Sequence, residues 1–189
     1  MHEIEPYYQW RHLYIAAEDE RSPFYGRSYS EFEFTHAVYN YLIHPQWDDF
    51  GSETLYLKVL YAGYEESFCI IEMIGEWNDL LYNDIMFLKR NVIEPVSLQG
   101  INRFILIGEN VMNFHYAESD YYEEWYEENG DGWILCVNFR RHVIQEMMRG
   151  RLGRYLLFGG EFETIEWRRL DPHQFFHRAS LLIQNRLNP

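Results

Sequence analysis

The chain has 189 residues, of which 47% are hydrophobic and 19% aromatic, and its formal net charge at pH 7 is −14. This length is typical of one domain, and we predict a single α/β domain over residues 1–189. The charge argues against binding to nucleic acid or to an anionic membrane surface, and no apolar run approaches the ~20 residues that span a bilayer. Residues 1–6 lack the basic and apolar regions of a signal peptide, so the sequence favours a cytoplasmic location.

The first half of the chain predicts antiparallel β structure. Residues 10–17 are predicted as a strand, and residues 32–43 as another strand, with a helix as the alternative for the second segment. Residues 54–62 and 67–74 are rich in β-branched and aromatic side chains, and four residues that include a glycine separate them. Such a pair of segments predicts a hairpin.

The second half alternates helical and extended segments. Apolar residues recur at helical spacing from Asn78 to Ile93, and Pro95 marks the end of this helix or a kink. Apolar strands are predicted at residues 103–107, 133–139 and 154–158, with an edge strand at 165–168. Further helices are predicted at about residues 120–128, 141–149 and 172–187. Because the strands are apolar throughout, we predict a parallel sheet covered on both faces. The whole is then a three-layer domain whose mixed sheet has an antiparallel N-terminal part and a β-α-β-α-β-α second half.

Capping residues support several of these helix ends. Asparagine, aspartate and serine are favoured before the first helical turn, and glycine is favoured after the last. The predicted N-caps are Asn78, Asp120 or Ser119, and Asp171, which Pro172 follows at a favoured position. Gly130 is the predicted stop of the helix at residues 120–128.

The order of these elements resembles that of the STAS-type anti-anti-sigma domains. The resemblance concerns architecture alone. The strand at residues 103–107 is followed by Gly108-Glu109-Asn110, and no serine-containing switch motif is found there.

Cys69 and Cys136 each lie within an apolar run. This setting predicts two buried free thiols, with a disulfide between neighbouring strands as the alternative.

The most unusual segment of the sequence is acidic and aromatic. Between residues 117 and 131 there are seven acidic residues and no basic one. On a helix, the aromatic residues of the octapeptide YYEEWYEE lie on one side and its glutamates on the other. Either the aromatic side packs on this chain's own sheet, or the helix presents charge and aromatics to a basic protein partner. The candidate partner-binding residues are Tyr121, Glu123, Glu124, Trp125, Glu127 and Glu128.

Charge within this segment favours nearby cations. Glutamates four residues apart on a helix repel each other by roughly 0.2–0.5 kcal/mol for each pair. Residues 1–139 contain 7 Lys/Arg and 25 Asp/Glu, whereas residues 140–189 contain 9 Arg and 5 Asp/Glu. We therefore predict that the basic end of the chain packs against its acidic middle, with a basic patch for a partner as the alternative.

A second candidate site lies at the carboxyl ends of the predicted parallel strands, where open α/β sheets bind ligands. If these strands are neighbours, the polar residues that follow them share one edge. The candidate residues are Glu76, Glu109, Asn110, Asn138 and Glu161. Oxygen ligands of this kind suit Mg²⁺ or Ca²⁺, and paired carboxylates suit acid–base chemistry. The alternative is that these residues are polar because loop ends are solvated.

Two smaller sets of residues are also candidates. Arg140 and Arg141 precede a helix and could bind a phosphate or carboxylate, although pairing with the acidic helix is the simpler interpretation. His173 and His177 have the spacing of two zinc ligands on one face of a helix. The sequence identifies no third ligand, and Gln174 replaces the glutamate of a zinc protease.

No catalytic motif emerges, so the leading hypothesis is a non-enzymatic binding or regulatory domain. In this hypothesis the domain contacts a protein partner through residues 117–131. The alternative is a metal-dependent hydrolase that uses the strand-end carboxylates, and self-association through aromatic surface is a third hypothesis.

Overall fold

The computed structural model describes residues 2–118 and 120–188. Its β-strands are β1 (His2–Ile4), β2 (His36–Val38), β3 (Tyr41–Ile43), β4 (Leu55–Gly63), β5 (Phe68–Asn78), β6 (Arg103–His115) and β7 (Trp133–Val137). Its α-helices are α1 (Asp79–Tyr82), α2 (Asp84–Leu88), α3 (Glu94–Ser97), α4 (Asp120–Glu128), α5 (Arg141–Arg149) and α6 (Pro172–Leu187). A π-helical turn, Lys89–Ile93, joins α2 to α3, and 3-10 turns lie at Leu152–Arg154, Gly160–Glu163 and Trp167–Arg169. Within these two described ranges, every helix is too short or too polar to cross a membrane.

The strands form two mixed sheets. In the larger sheet the strand order is β4-β5-β6-β7, with β4 antiparallel to β5 and the remaining strands parallel to one another. In the smaller sheet the order is β1-β3-β2, where β1 is parallel and β2 antiparallel to β3. The predicted α/β fold is therefore confirmed, and its larger sheet begins with the predicted hairpin and continues in parallel.

The larger sheet is packed on both faces. Ile71 of β5 belongs to an apolar cluster that also contains Trp125 of α4. The preceding residue, Ile70, belongs to a second cluster, which contains Phe175 of α6. Because successive residues of a strand point to opposite faces, both positions must be apolar, which explains the continuous apolar runs in β5, β6 and β7.

Several local predictions are confirmed. The side chain of Asn78 caps α1 by accepting a hydrogen bond from Leu81 N at 2.9 Å. Asp171 caps α6 in a reciprocal capping box, with proline at the start of the helix. Cys69 and Cys136 are both buried and both free.

Two predictions in the first half need correction. Residues 10–17 form a series of turns, not a strand. Trp10 is nevertheless buried against Trp167 and Phe175, and its indole N–H donates to Leu170 O at 3.0 Å. Residues 32–43 hold the two short strands β2 and β3, separated by a turn at Tyr39 with a φ of 53°. A side chain can be buried in a series of turns as well as in a strand. Alternation of apolar residues therefore does not distinguish a strand from such turns.

Predictions in the second half also need correction. Of residues 154–158 only Leu157 forms a bridge, to Leu135, and the predicted edge strand at 165–168 overlaps a 3-10 turn. The helix predicted between Asn78 and Ile93 is interrupted at Asn83, whose φ is 54°. Pro95 lies in α3, directly after the π-helical turn, and the helix continues past it to Ser97. The candidate cap Ser119 lies outside the described residues.

The two central strands extend beyond their predicted ends. β5 continues to Asn78 and β6 to His115. Gly75 makes the extension of β5 possible, because its φ is +114° and a side chain there would lie 2.1 Å from the carbonyl oxygen of Thr54. The register between β5 and β6 shifts on both sides of this glycine. As a result, Glu76 lies within a strand, and so does Glu109 of β6.

A pair of buried carboxyl groups lies where β5 passes into α1 and α2. Asp79 accepts hydrogen bonds from Trp77 Nε1 at 3.0 Å, Ile85 N at 2.9 Å and the Tyr122 hydroxyl at 2.5 Å. Asp84 accepts a hydrogen bond from the backbone at 2.7 Å. Burial raises the pKa of each carboxyl to about 6, although these hydrogen bonds favour the ionised form.

We predict that Asp84→Asn changes how stability depends on pH. Because the folded pKa lies above the ordinary value of 3.8, the folded state holds an extra proton between about pH 4 and 6. The stability that comes from this proton is present below about pH 4 and is lost as the pH rises through 6. Between pH 4 and 7 the free energy of unfolding of the wild type should therefore fall by about 2 kcal/mol more than that of the variant. Urea unfolding at both pH values measures this difference.

The exposed acid Glu31 provides the control for this prediction. Glu31→Gln should follow the wild type across the same pH range. Equal pH dependence in the wild type and Asp84→Asn would contradict the assignment.

Candidate functional site

Glu109 is the centre of a hydrogen-bonded cluster next to the end of β7. Its Oε1 accepts from Asn138 Nδ2 and from Trp167 Nε1, each at 2.8 Å, and its Oε2 lies 2.6 Å from Arg168 Nη1. Burial alone would raise the pKa of this carboxyl, but the three donors and the charge of Arg168 lower it below its ordinary value. Glu109 is therefore ionised, and both of its oxygens already have protein partners.

Arg168 also reaches a second acid that the sequence analysis did not identify. Glu72 lies in the middle of β5 and is only 2% exposed. It accepts a hydrogen bond from Tyr7 N at 2.7 Å, and Arg168 Nη2 lies 3.9 Å away. Burial raises the pKa of Glu72 to about 7. The available signal was a single acid within the apolar run of β5, since charged residues are rarely buried without partners.

Glu76, a predicted ligand, has different neighbours. Its carboxylate accepts hydrogen bonds from the Tyr39 hydroxyl and from Asn78 Nδ2, the latter at 2.7 Å. Its strand partner is Asn113, four residues along β6 from Glu109. Four residues of a β-strand span about 13 Å, so Glu76 and Glu109 are separated by about that distance along the strand direction.

The remaining predicted ligands do not gather at one edge. Asn138 contacts Glu109, as described, and its amide also bonds the backbone of Ile165 at 2.8 and 2.7 Å. Asn110 is paired with Ile74 within the sheet, and Glu161 is exposed on a 3-10 turn. The structure thus brings together only Glu109 and Asn138 of the five candidates, and it uses their polar atoms to join chain segments.

The acidic aromatic segment folds as α4, with its aromatic side turned inward. Tyr122 and Trp125 are buried, so Trp125 is not available to a partner, and Tyr121 is packed against the same apolar cluster. Tyr126 is 51% exposed.

Lys89 and Arg90 of the π-helical turn neutralise part of the acidic side. Lys89 Nζ lies 3.2 Å from Glu124 and 2.8 Å from Glu128, and Arg90 lies 3.1 Å from Glu124. The Lys89 side chain is fully buried, and these hydrogen bonds raise its pKa although burial opposes them. Exposed Glu123 and Glu127 have no cation within 4 Å among the described residues.

The cations paired with α4 therefore differ from those we predicted. The basic C-terminal part of the chain contributes Arg168 to Glu72 and Glu109 but gives no described ion pair to α4. Arg140 Nε donates to the backbone oxygen of Glu109 at 3.2 Å. Arg141 is the exposed first residue of α5. Pairing of these two arginines with the acidic helix is absent from the described contacts.

A cavity of about 260 Å³ lies between the N-terminal turns and β4. Five aromatic residues and three cations contribute to its wall. The aromatic lining residues are Tyr7, Tyr8, Trp10, Tyr14 and Tyr29, and the cations are Arg11, Arg27 and Lys58. Sequence reasoning missed this site because the cavity exists only where residues 5–18, predicted in part as a strand, fold back across β4.

One buried carboxylate, Asp48, pairs with two of these cations. Asp48 is fully buried and lies 3.1 Å from Lys58 Nζ and 3.4 Å from Arg27 Nη1. The Lys58 ammonium also lies 3.8 Å from the centre of the Tyr29 ring. Burial lowers the pKa of Lys58 despite its contact with Asp48, and the charges of Arg11 and Arg27 lower it further.

Comparison of the chain with protein-family models, curated proteins and solved structures found no match. The candidate sites are therefore judged on their geometry.

Two double variants of α4 test its internal neutralisation. Glu124→Gln/Glu128→Gln should destabilise the protein by about 1–3 kcal/mol, because buried Lys89 loses two of its three carboxylate partners. Glu123→Gln/Glu127→Gln removes the same charge from the same helix and serves as the matched control. It should be neutral or stabilising by up to about 0.5 kcal/mol, because it relieves like-charge repulsion. Urea unfolding at neutral pH measures both, and equal effects would contradict the described ion pairs.

Proposed function

We propose that this protein is a non-enzymatic binding protein that holds a small anionic aromatic molecule in the cavity beside β4. The observation that carries the proposal is the presence of Arg11, Arg27 and Lys58 in the wall of one cavity. Two of these cations, Arg27 and Lys58, pair with the buried carboxylate of Asp48. Pockets for small molecules are mostly apolar or aromatic and have a few convergent polar groups. The cavity has both features.

The position of the charges favours an anion. Two acids, Glu5 and Glu18, also line the cavity, but both are exposed to solvent, and Glu5 faces His44 at 3.4 Å. Lys58, in contrast, is only 14% exposed. A charge in a desolvated position interacts more strongly with a ligand than a charge in water does. Lys58 is therefore the charge with the strongest effect on a ligand, because Arg11 and Arg27 are exposed as the two acids are.

The size and wall of the cavity favour one aromatic ring. A volume of about 260 Å³ is slightly below the range of roughly 300–1,000 Å³ that is typical of ligand sites. Trp10 and the lining tyrosines offer ring faces and edges to a planar ligand, and aromatic pairs are worth about 0.5–1.5 kcal/mol beyond their buried area. Benzoate and phenyl phosphate combine one ring with one anionic group and are suitable probes.

Isothermal titration calorimetry tests the proposal. We expect benzoate or phenyl phosphate to bind one site with a Kd between about 10 μM and 1 mM, which is reasonable for a ligand of this size. Benzamide, a neutral isostere of benzoate, should bind at least tenfold more weakly. Arg11→Gln should weaken anion binding about tenfold or more, which corresponds to the loss of one charge-assisted hydrogen bond.

The control for Arg11→Gln is Arg149→Gln, which removes an arginine whose side chain is 74% exposed on α5. It should leave binding unchanged. The proposal fails if neither anion binds below about 5 mM, or if benzamide binds as well as benzoate.

The exposed acidic side of α4 supports a second proposal, a contact with a basic protein partner. Glu123 and Glu127 repel each other and lack a described cation, so a partner's cations would relieve a cost that this chain leaves in place. A lysine-rich helical peptide is a direct probe. We expect the peptide to bind the wild type at low salt. Its affinity for Glu123→Gln/Glu127→Gln should be at least threefold lower. Equal affinity for the two proteins would contradict this contact.

We also propose a cytoplasmic location, which the two free thiols support because reducing compartments keep cysteines unpaired. Self-association remains a proposal that light scattering can test.

A further inference from the structure

A group of metal-ligating side chains lies near β4 but outside the lining of the cavity. It forms where the start of α6 meets the turn between β4 and β5. His173 Nδ1 lies 2.6 Å from Glu66 Oε2, and His177 Nε2 lies 3.5 Å from Glu66 Oε1. The Tyr61 hydroxyl lies 2.9 Å from the other ring nitrogen of His173. The fold thus adds a carboxylate to the histidine pair that the sequence singled out.

We propose that Glu66, His173 and His177 bind a divalent transition-metal ion, with Zn²⁺ as the ion that this ligand set fits best. Two imidazoles and one carboxylate are a recurrent zinc ligand set in proteins, and water completes the four-coordinate shell. Nitrogen ligands favour zinc over Mg²⁺ and Ca²⁺, which prefer oxygen.

The side chains have to rearrange on binding, because their three ligand atoms are not yet within reach of one ion. In a tetrahedral zinc site with bonds of 2.0–2.1 Å, neighbouring ligand atoms lie about 3.3 Å apart. The contact between His177 and Glu66 is already close to this value, whereas the contact between His173 and Glu66 has to open by about 0.7 Å. The imidazoles face different oxygens of one carboxylate, so the ion also has to draw them together. The side chains of Glu66, His173 and His177 are 34%, 50% and 66% exposed, which leaves them room to move.

The Tyr61 hydroxyl can hydrogen-bond with His173 both in the metal-free protein and in the metal-bound protein. Without metal, Nδ1 of a neutral His173 carries the ring proton, because the Glu66 carboxylate can only accept, and the Tyr61 hydroxyl then donates to Nε2. With metal, Nδ1 becomes a ligand and Nε2–H donates to the Tyr61 oxygen. Histidine ligands generally need such an acceptor at the second ring nitrogen. Edge contacts at 5.3 Å with the Tyr61 ring and at 5.6 Å with the Phe68 ring also hold the imidazole in place.

Two other groups of side chains, unlike Glu66, His173 and His177, have three ligand atoms close enough to share an ion as they stand, but each is already used. They are Glu94, Glu124 and Glu128, and Glu3, Glu5 and His44. The ammonium of Lys89 occupies the first group. In the second group, Gln46 N donates to His44 Nδ1 at 3.1 Å. The remaining ring proton is then on Nε2, the atom that faces the carboxylates, so His44 acts as a donor there.

Calorimetric titration of the untagged protein with ZnCl2 tests this site. We expect saturable binding of one Zn²⁺ and no comparable binding of Mg²⁺. His173→Ala, His177→Ala and Glu66→Gln should each weaken Zn²⁺ binding at least tenfold. His12→Ala, which removes an exposed histidine of the N-terminal turns, is the matched control and should bind as the wild type does.

Urea unfolding without metal shows whether each variant keeps the fold. His177→Ala removes a side chain that is 66% exposed and should unfold as the wild type does. The proposal is overturned if the wild type shows no saturable binding below about 0.1 mM Zn²⁺, or if folded His177→Ala binds as tightly as the wild type.

Discussion

The burial of β5 and β6 on both faces is the constraint on which the rest of the structure depends. These strands form the centre of the larger sheet, and one apolar cluster lies on each side of them. Every side chain along their shared length has to be apolar or has to find a polar partner inside the protein. The helices and the N-terminal turns are accordingly arranged to cover the sheet and to supply those partners.

The buried charges of the protein follow from this constraint. Glu72 lies inside β5 and meets Arg168, Asp79 follows the end of β5 and meets Tyr122, and Lys89 lies beneath α4 and meets its glutamates. Each pairing joins segments that are far apart in the sequence. Removing one partner of such a pair leaves a buried charge or a buried polar group unsatisfied, which costs more than the pair itself contributes. The pairs therefore fix which segment packs where.

Sequence reasoning succeeded where local signals determine the structure. The hairpin of β4 and β5, the start of α6 and the free thiols depend on apolar runs and caps that lie within a few residues. It failed for the N-terminal turns, whose Trp10 is held by Leu170, and for the length of β5, which depends on the contact between Gly75 and Thr54. The same limit applies to the sites. Glu66 is separated from His173 by 107 residues, and no local pattern relates them.

The local charge at two places in this protein differs from what the sequence alone suggests. The acidic helix α4 has part of its charge neutralised by Lys89 and Arg90, although it is the most acidic segment of the sequence. Three of the few cations in the acid-rich part line the cavity, and two of them, Arg27 and Lys58, pair with buried Asp48. Screening at physiological salt acts over about 8 Å, so a ligand in the cavity senses these neighbours more than the net charge of −14. An overall acidic protein can thus attract an anion at one desolvated position, and net charge predicts only its long-range behaviour.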